Sequence, residues 1–394
     1  MAGRDYAGTT RATPVMAFPG SDILAARHRA IRARLTALGL DGLVVTNPTN
    51  IRYLSNHAGS AGTLVITHSD VHLLIDFRYQ ESVRSTQASD AACPNLTLWP
   101  VPASYDEALI DMLSEPGMPV KVGIEAAHMT VARKEWLERT TSSRGLALSW
   151  TSTERVVEQA RLVKDANEVA TLRDAAARLT FVADKAFDAV RPGVTERDVA
   201  AVLETGLRSA GYERPAFDTI VASGPNAALP HYRAGLRVLK AGDLVVLDFG
   251  GVLDGYCSDL TRTVSVGRPT DDALRLHSAV RDAQRRAIEA VKPGVPAASV
   301  DAAARSLLES RGLGEAFGHG TGHGLGLDIH EEPRIGPPRS HSASVQLEPG
   351  MVFTIEPGAY LPGLGGVRIE DDVLVTADGY EVLTSVTREL LELG

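Results

Sequence analysis

The second half of this sequence repeats itself, and the repeat carries acids in register. Arg191-Pro-Gly-Val opens a helical pattern that runs to Ala210, and Lys292-Pro-Gly-Val, 101 residues later, opens another that runs to Arg311. Further on, Leu239-Lys-Ala-Gly-Asp-Leu-Val-Val-Leu-Asp248 aligns with Leu347-Glu-Pro-Gly-Met-Val-Phe-Thr-Ile-Glu356 at an offset of 108. Each copy reads as helix, connection and strand pair, with a carboxylate at the end of the first strand. Duplicated halves tend to pack about a pseudo-twofold axis, by analogy with symmetric dimers. A residue repeated near that axis meets its copy. Acids brought together in this way need positive charge between them, so the repeat points to a metal site.

Spacing sharpens this reading. In the first copy the strands are Leu244–Gly250 and Cys257–Val266, around a Leu253-Asp254-Gly255 turn. A hairpin symmetric about positions 253 and 254 sets Asp248 opposite Asp259, with Cβ atoms roughly 4.5–5.5 Å apart. Two like charges so close repel unless a cation lies between them. In the second copy, centring the connection near Gly363 brings Glu356 beside Glu370. Arg368, two residues earlier on the same face, helps keep Glu370 ionised.

Between the copies runs Phe317-Gly-His-Gly-Thr-Gly-His-Gly-Leu-Gly-Leu-Asp-Ile-His-Glu331, which gathers His319, His323 and His330, three of the chain's 11 histidines. Its glycines let backbone approach a bound group. No Gly-Lys-Ser/Thr follows, and the spacing is not a dinucleotide fingerprint, so a phosphate loop is excluded. Four carboxylates and one imidazole make an oxygen-rich set. Such a set suits two hard or borderline divalent cations, Mn²⁺ more naturally than thiolate-loving metals. Two ions about 3.5–4 Å apart polarise a carbonyl and activate water, which is the chemistry of hydrolysis.

The rest of the chain supplies the frame. At 394 residues two domains are expected. Residues 1–20 read as a loose arm without a signal-length apolar run. Residues 21–153 alternate helix and strand: a helix from Ile23 to Leu38, capped by Ser21 or Asp22 and stopped by Gly39, then strands at Gly42–Thr46, Gly62–Thr67, Val71–Ile75 and Lys121–Ile124. That is a small α/β domain. A long helical pattern from Glu154 to Arg191 opens the second domain, residues 154–394. The net charge is −9 with acids and bases mixed, so no nucleic-acid surface is expected. No stretch reaches the roughly 18–20 apolar residues of a membrane span. Two cysteines, Cys93 and Cys257, build no disulfide framework and fit a reducing cytoplasm.

The order Asp248, Asp259, His323, Glu356, Glu370 resembles the aminopeptidase P and prolidase branch of the pita-bread metallopeptidases. Leu-Asp248-Phe-Gly, Ser-Asp259-Leu-Thr-Arg-Thr, His-Gly-Thr-Gly-His323-Gly-Leu-Gly, Thr-Ile-Glu356-Pro-Gly and Arg-Ile-Glu370-Asp all carry the likeness. Asn50-Ile-Arg-Tyr-Leu-Ser and Ile75-Asp-Phe-Arg-Tyr extend it to the first domain. The resemblance implies an α+β chain: a duplicated helix–hairpin catalytic domain behind a smaller α/β domain. It implies two divalent ions, Mn²⁺ with Co²⁺ or Zn²⁺ as alternatives, held by those five residues. It implies hydrolysis of the Xaa-Pro bond at the N-terminus of short peptides by a hydroxide bridging the ions. His231 and His330 then match histidines that steady the tetrahedral intermediate, and Glu356 relays a proton to the leaving nitrogen. His319, Arg368 and Tyr360 match positions beside the metals and pocket. Arg334 matches an arginine that holds the free carboxylate of a dipeptide. A homodimer is also implied. Dipeptidase and aminopeptidase stay open, as do a methionine-aminopeptidase-like peptidase and a non-catalytic pita-bread binding module. Five filled ligand positions speak against a metal-free creatinase-like relative.

Overall fold

The computed structural model describes residues 18–338 and 345–394. Most of the arm expected over residues 1–20 lies outside them. Contacts divide the chain into two units that part between Arg161 and Leu162.

The first unit holds one six-stranded sheet, in the order β4-β3-β2-β1-β5-β6. Its strands are β1 (Gly42–Val45), β2 (Thr63–Thr67), β3 (Val71–Ile75), β4 (Leu96–Pro100), β5 (Lys121–Glu125) and β6 (Ser149–Thr153). Helices α1 (Ser21–Leu38), α2 (Pro48–Ser55), α3 (Phe77–Gln87), α4 (Tyr105–Leu113) and α5 (Val131–Ser143) connect or flank them. Gly39 ends α1 in the left-handed conformation, as its position suggests. The start differs: Ser21 and Asp22 are already helical, and Gly20 holds the cap position.

The boundary falls later than Glu154. A short helix α6 (Glu158–Arg161) stays with the first unit. Arg161 donates to Asn50 Oδ1 at 2.8 Å, and Asn50 Nδ2 donates to Glu158 at 2.6 Å. The long helical pattern is therefore two helices. Asp165 starts the second through a capping box with Glu168, and that reciprocal pair breaks the run.

The second unit is the duplicated one. Its first half has α7 (Ala166–Ala189), α8 (Glu196–Ser209), β7 (Arg214–Pro215), β8 (Ile220–Ser223) and the hairpin β9 (Leu244–Leu253) with β10 (Tyr256–Val266). Its second half has α9 (Asp271–Glu289), α10 (Ala297–Ser310), β11 (Gly322–Gly324), β12 (Glu331–Ile335), β13 (Val352–Ile355), β14 (Gly358–Leu361), β15 (Gly365–Arg368) and β16 (Asp371–Val375). Strand β17 (Tyr380–Val382) borders β16, and β18 (Glu392–Leu393) borders β10. The repeat extends to single hydrogen bonds. Gly193 N donates to Leu239 O, and Gly294 N to Leu347 O; Gly242 N donates to Val266 O, and Gly350 N to Val375 O.

Alternation along the strands decides where the acids go. Val245, Leu247 and Phe249 of β9 and Leu260, Val264 and Val266 of β10 join a core with α7 and α8. Phe353, Ile355, Val367, Ile369, Val373 and Val375 join a second core with α9 and α10. Residues of opposite parity face the other way. Asp248, Asp259, Glu356 and Glu370 have that parity, so each half-core presses its own acids onto the face away from its helices. Among the described residues no helix is long and apolar enough to cross a membrane.

Candidate metal centre

The first hairpin is centred one residue beyond the expected position, which moves every cross-strand partner by two. Leu253 pairs with Tyr256, so Asp254 and Gly255 form the turn, both at positive φ. Asp248 pairs with Thr261, and Asp259 with Gly250. The two aspartates are therefore diagonal neighbours on one face rather than directly opposed. The second hairpin is centred on Gly363 as expected. Ile355 pairs with Asp371, and the strands break at the next position on either side, where Glu356 and Glu370 lie. Each glutamate sits at the break between two short strands.

His323 enters from β11, which pairs with β13. Gly322 and Gly324 flank it because neighbouring backbone leaves no room. A Cβ at Gly322 would lie 1.9 Å from Thr354 O, and one at Gly324 would lie 2.2 Å from Glu332 O. These glycines admit the neighbouring strands, not a ligand. The His323 Nδ1–H donates to Gly324 O at 3.1 Å, which leaves Nε2 with its lone pair. Nε2 stands 3.9 Å from Asp259 Oδ2 and 3.5 Å from Glu356 Oε1. Donors about 2.0–2.2 Å from a shared ion have separations of this size. Asp259, His323 and Glu370 each offer a ligand atom within 4.8 Å of the others.

The donor set fits cations. Asp248 Oδ1, Asp259 Oδ1 and Glu370 Oε1 are buried without a hydrogen-bond partner. Burial, then neighbouring carboxylates, pushes Asp259 and Glu370 well above the usual carboxylate range. Burial pushes Glu356 up to about 8. Burial also lowers His323 to about 4, so it is a neutral donor at neutral pH. Acids forced together with bare oxygens and a neutral imidazole are a site that divalent ions complete.

Around the acids lies a polar frame. Arg368 is 4% exposed, and its guanidinium is fully engaged. It donates to Asp248 Oδ2 at 2.5 Å, to Tyr360 Oη at 2.7 Å, to Thr261 Oγ1 at 3.3 Å and to Pro230 O at 3.3 Å. It serves Asp248, whereas Glu370 takes the Thr261 hydroxyl at 2.6 Å. Tyr360 also meets His319 Nε2 at 3.1 Å. His319 is lowered to about 4, chiefly by burial. His330 is exposed, with its ring centroid 4.3 Å from that of His323. His231 is exposed on the turn after Pro230, whose carbonyl Arg368 holds. Arg334 is exposed on β12, with its guanidinium 3.4 Å from Pro337 O, while Glu331 pairs with buried Lys164 at 2.6 Å.

Further polar residues complete this frame. Thr261, Thr354, Asp301 and Asp372 all touch the site elements. Thr354 Oγ1 accepts from His323 N and donates to Glu356. Asp301, paired with Arg305, accepts from Thr321 N and Oγ1. Thr261, Thr354 and Asp372 lie two residues from a candidate ligand on the same face, and Thr261 and Thr354 also fall within the motifs around Asp259 and Glu356.

Residues 170–377 match Metallopeptidase family M24, and residues 27–163 match the Creatinase/Prolidase N-terminal domain. The chain belongs to metallopeptidase family M24. It is 38% identical to the uncharacterized peptidase YqhT of Bacillus subtilis over 360 residues, which cover 90% of this chain and 97% of that one. The fold superposes on a Xaa-Pro dipeptidase from Bacillus anthracis with TM-score 0.86 and 35% identity, covering 94% of this chain and all of that one. An X-Pro aminopeptidase from Thermotoga maritima gives 0.81 and 32%, covering 93% and 99%. Fold and family thus agree with the resemblance carried by the five ligand motifs, and the M24 catalytic unit is preceded by its N-terminal domain.

Proposed function

We propose that this M24 peptidase hydrolyses the Xaa-Pro bond at the N-terminus of short peptides, with Asp248, Asp259, His323, Glu356 and Glu370 holding two divalent ions, Mn²⁺ by preference. The observation that carries the reading is a cluster of four acids, three of them buried with a bare carboxylate oxygen, together with a neutral imidazole within ligand reach of Asp259 and Glu370. When bound, the ions would polarise the scissile carbonyl and activate water. The chain's own groups do the rest. His231 and His330, both exposed beside the cluster, donate to the developing oxyanion. Glu356 would take the proton given up by the attacking water and relay it to the leaving nitrogen. Proline nitrogen is a tertiary amide with no hydrogen, so the site needs no acceptor for a scissile N–H.

Arg334 supports a preference for dipeptides. Among the described residues its guanidinium meets only the Pro337 carbonyl. A free proline carboxylate makes a two-pronged pair there, and a longer peptide offers only an amide. The test compares kcat/KM for an Xaa-Pro dipeptide and its tripeptide extension in wild type and Arg334→Ala, with added Mn²⁺. The dipeptide advantage should fall by about 1.5–3 kcal/mol in the variant. An unchanged ratio would leave aminopeptidase activity as the better reading. Full hydrolysis after exhaustive chelation would remove the metal assignment itself.

A further inference from the structure

We propose that Thr261 is a positioning residue: its hydroxyl orients the Glu370 carboxylate for metal binding and links it to the Asp248 side of the site. This rests on the two-ion reading above. Thr261 lies within β10, fully buried and registered against Asp248. Its hydroxyl is used twice. It donates to Glu370 Oε2 at 2.6 Å and accepts from Arg368 Nε at 3.3 Å. Its backbone carbonyl accepts from Glu370 N at 3.1 Å. One residue therefore holds both the backbone and the side chain of a ligand on the other hairpin.

The hydrogen bond also selects an oxygen. With Oε2 engaged, Oε1 is the free one, and Oε1 is the buried atom left without a partner. The Arg368 that reaches Thr261 also holds Asp248 Oδ2. The Thr261 hydroxyl thus joins a ligand of the second hairpin to the guanidinium that holds a ligand of the first.

The pseudo-twofold axis gives an internal comparison. Asp372 follows Glu370 by two residues, as Thr261 follows Asp259. Asp372 Oδ2 accepts from Asp259 N at 3.2 Å, so the reach between hairpins recurs. That contact touches only the backbone of Asp259. Among the described residues Thr263, the next residue on the Thr261 face, bonds only the backbone of Arg368. A hydroxyl on the carboxylate itself is specific to Thr261 among these three.

The experiment measures Mn²⁺ binding by calorimetry and by the visible spectrum of the Co²⁺ form, in wild type, Thr261→Val and Thr261→Ser. Valine keeps the volume and removes the hydroxyl; serine keeps the hydroxyl and removes the methyl. The valine variant should bind Mn²⁺ about 10–100-fold more weakly, the usual loss when a ligand's hydrogen-bond partner is removed. Its Co²⁺ spectrum should change, and serine should restore both readouts. Wild-type affinity in the valine variant would overturn the proposal. So would a serine variant that binds poorly, which would assign the role to packing, and that arm holds even where the valine variant does not fold. Wild type that binds no Mn²⁺ or Co²⁺ would instead remove the two-ion reading on which the proposal stands.

Discussion

Loading the site with metal should expel protons. At neutral pH the metal-free cluster is not fully ionised. Burial pushes Glu356 up to about 8. Burial and neighbouring acids push Asp259 and Glu370 well above their ordinary values. His323, lowered to about 4, is already neutral and has no proton to give up. A group titrating near 8 is about 90% protonated at pH 7, so Glu356 alone supplies roughly 0.9 of a proton, and the other two raise the release to between about one and three. The acids titrate as a coupled set, so the count belongs to the cluster. The sign follows. Protons compete with metal, so apparent affinity climbs as pH rises, by about a decade per pH unit for each proton released. Stability of the metal-free chain runs the other way. Its folded acids have raised pKa values, so the folded state binds more protons than the unfolded state. It loses stability as pH climbs from the ordinary carboxylate range through about 8. Calorimetric Mn²⁺ titration in buffers of different ionisation enthalpy, near about pH 6 and about pH 8, counts the protons. Release near zero at about pH 6 would mean the acids are already ionised without metal, and the repulsion argument would fail.

Other perturbations separate the parts of the site. Arg368→Met removes the partner of a buried carboxylate and should cost about 3–5 kcal/mol in the metal-free protein, read from urea unfolding. Gly324→Ala drives a Cβ toward Glu332 O and should destabilise by about 1–3 kcal/mol while weakening metal binding, because His323 sits on the displaced strand. His231→Ala should lower kcat by roughly 10²–10³ and leave bound metal unchanged, as measured by elemental analysis. Loss of metal in that variant would make His231 a ligand rather than a donor to the oxyanion.

How far the sequence led can be followed residue by residue. The second hairpin was legible because its Pro/Gly-rich connection is symmetric about Gly363, so the register of Glu356 and Glu370 follows from counting. The first lies one residue off in its centre and two in its pairing. Asp254-Gly255 is the two-residue turn that positive φ values favour, and centring the hairpin on it gives the observed pairing. The break before α7 was hidden by continuous helical periodicity, although Asp165 and Glu168 spell a capping box. The frame around the acids was least legible. Arg262 and Asp371 form a buried pair on the helix side of the sheets, joined by Gln284, Thr384 and Arg388. Arg262 and Asp371 fall within the motifs around Asp259 and Glu370, but nothing local pairs them, because partners so far apart in the chain meet only when both hairpins are closed.

The duplication explains the acids but not the whole site. Each half delivers two carboxylates by the same strand alternation, and if that were all, the donors would be equivalent across the pseudo-axis. Two departures break the equivalence. His323 comes from β11, which pairs with β13; in the first half, β8 pairs with β9 and brings Ile220 opposite Asp248 instead. Arg368 donates to Asp248, whereas Glu356 on the other strand has the Thr354 hydroxyl at 3.4 Å and the His323 imidazole at 3.5 Å. The imidazole thus stands with Asp259 and Glu356, and the guanidinium stands with Asp248. A neutral nitrogen adds a donor without adding charge, while an arginine withdraws part of a carboxylate's charge from the site. The twofold supplies a negative pocket, and these two side chains give it direction: one flank gains a donor and the other is restrained. A peptide entering such a pocket meets a polarised surface rather than a symmetric one, which is what placing one carbonyl against one nucleophile requires.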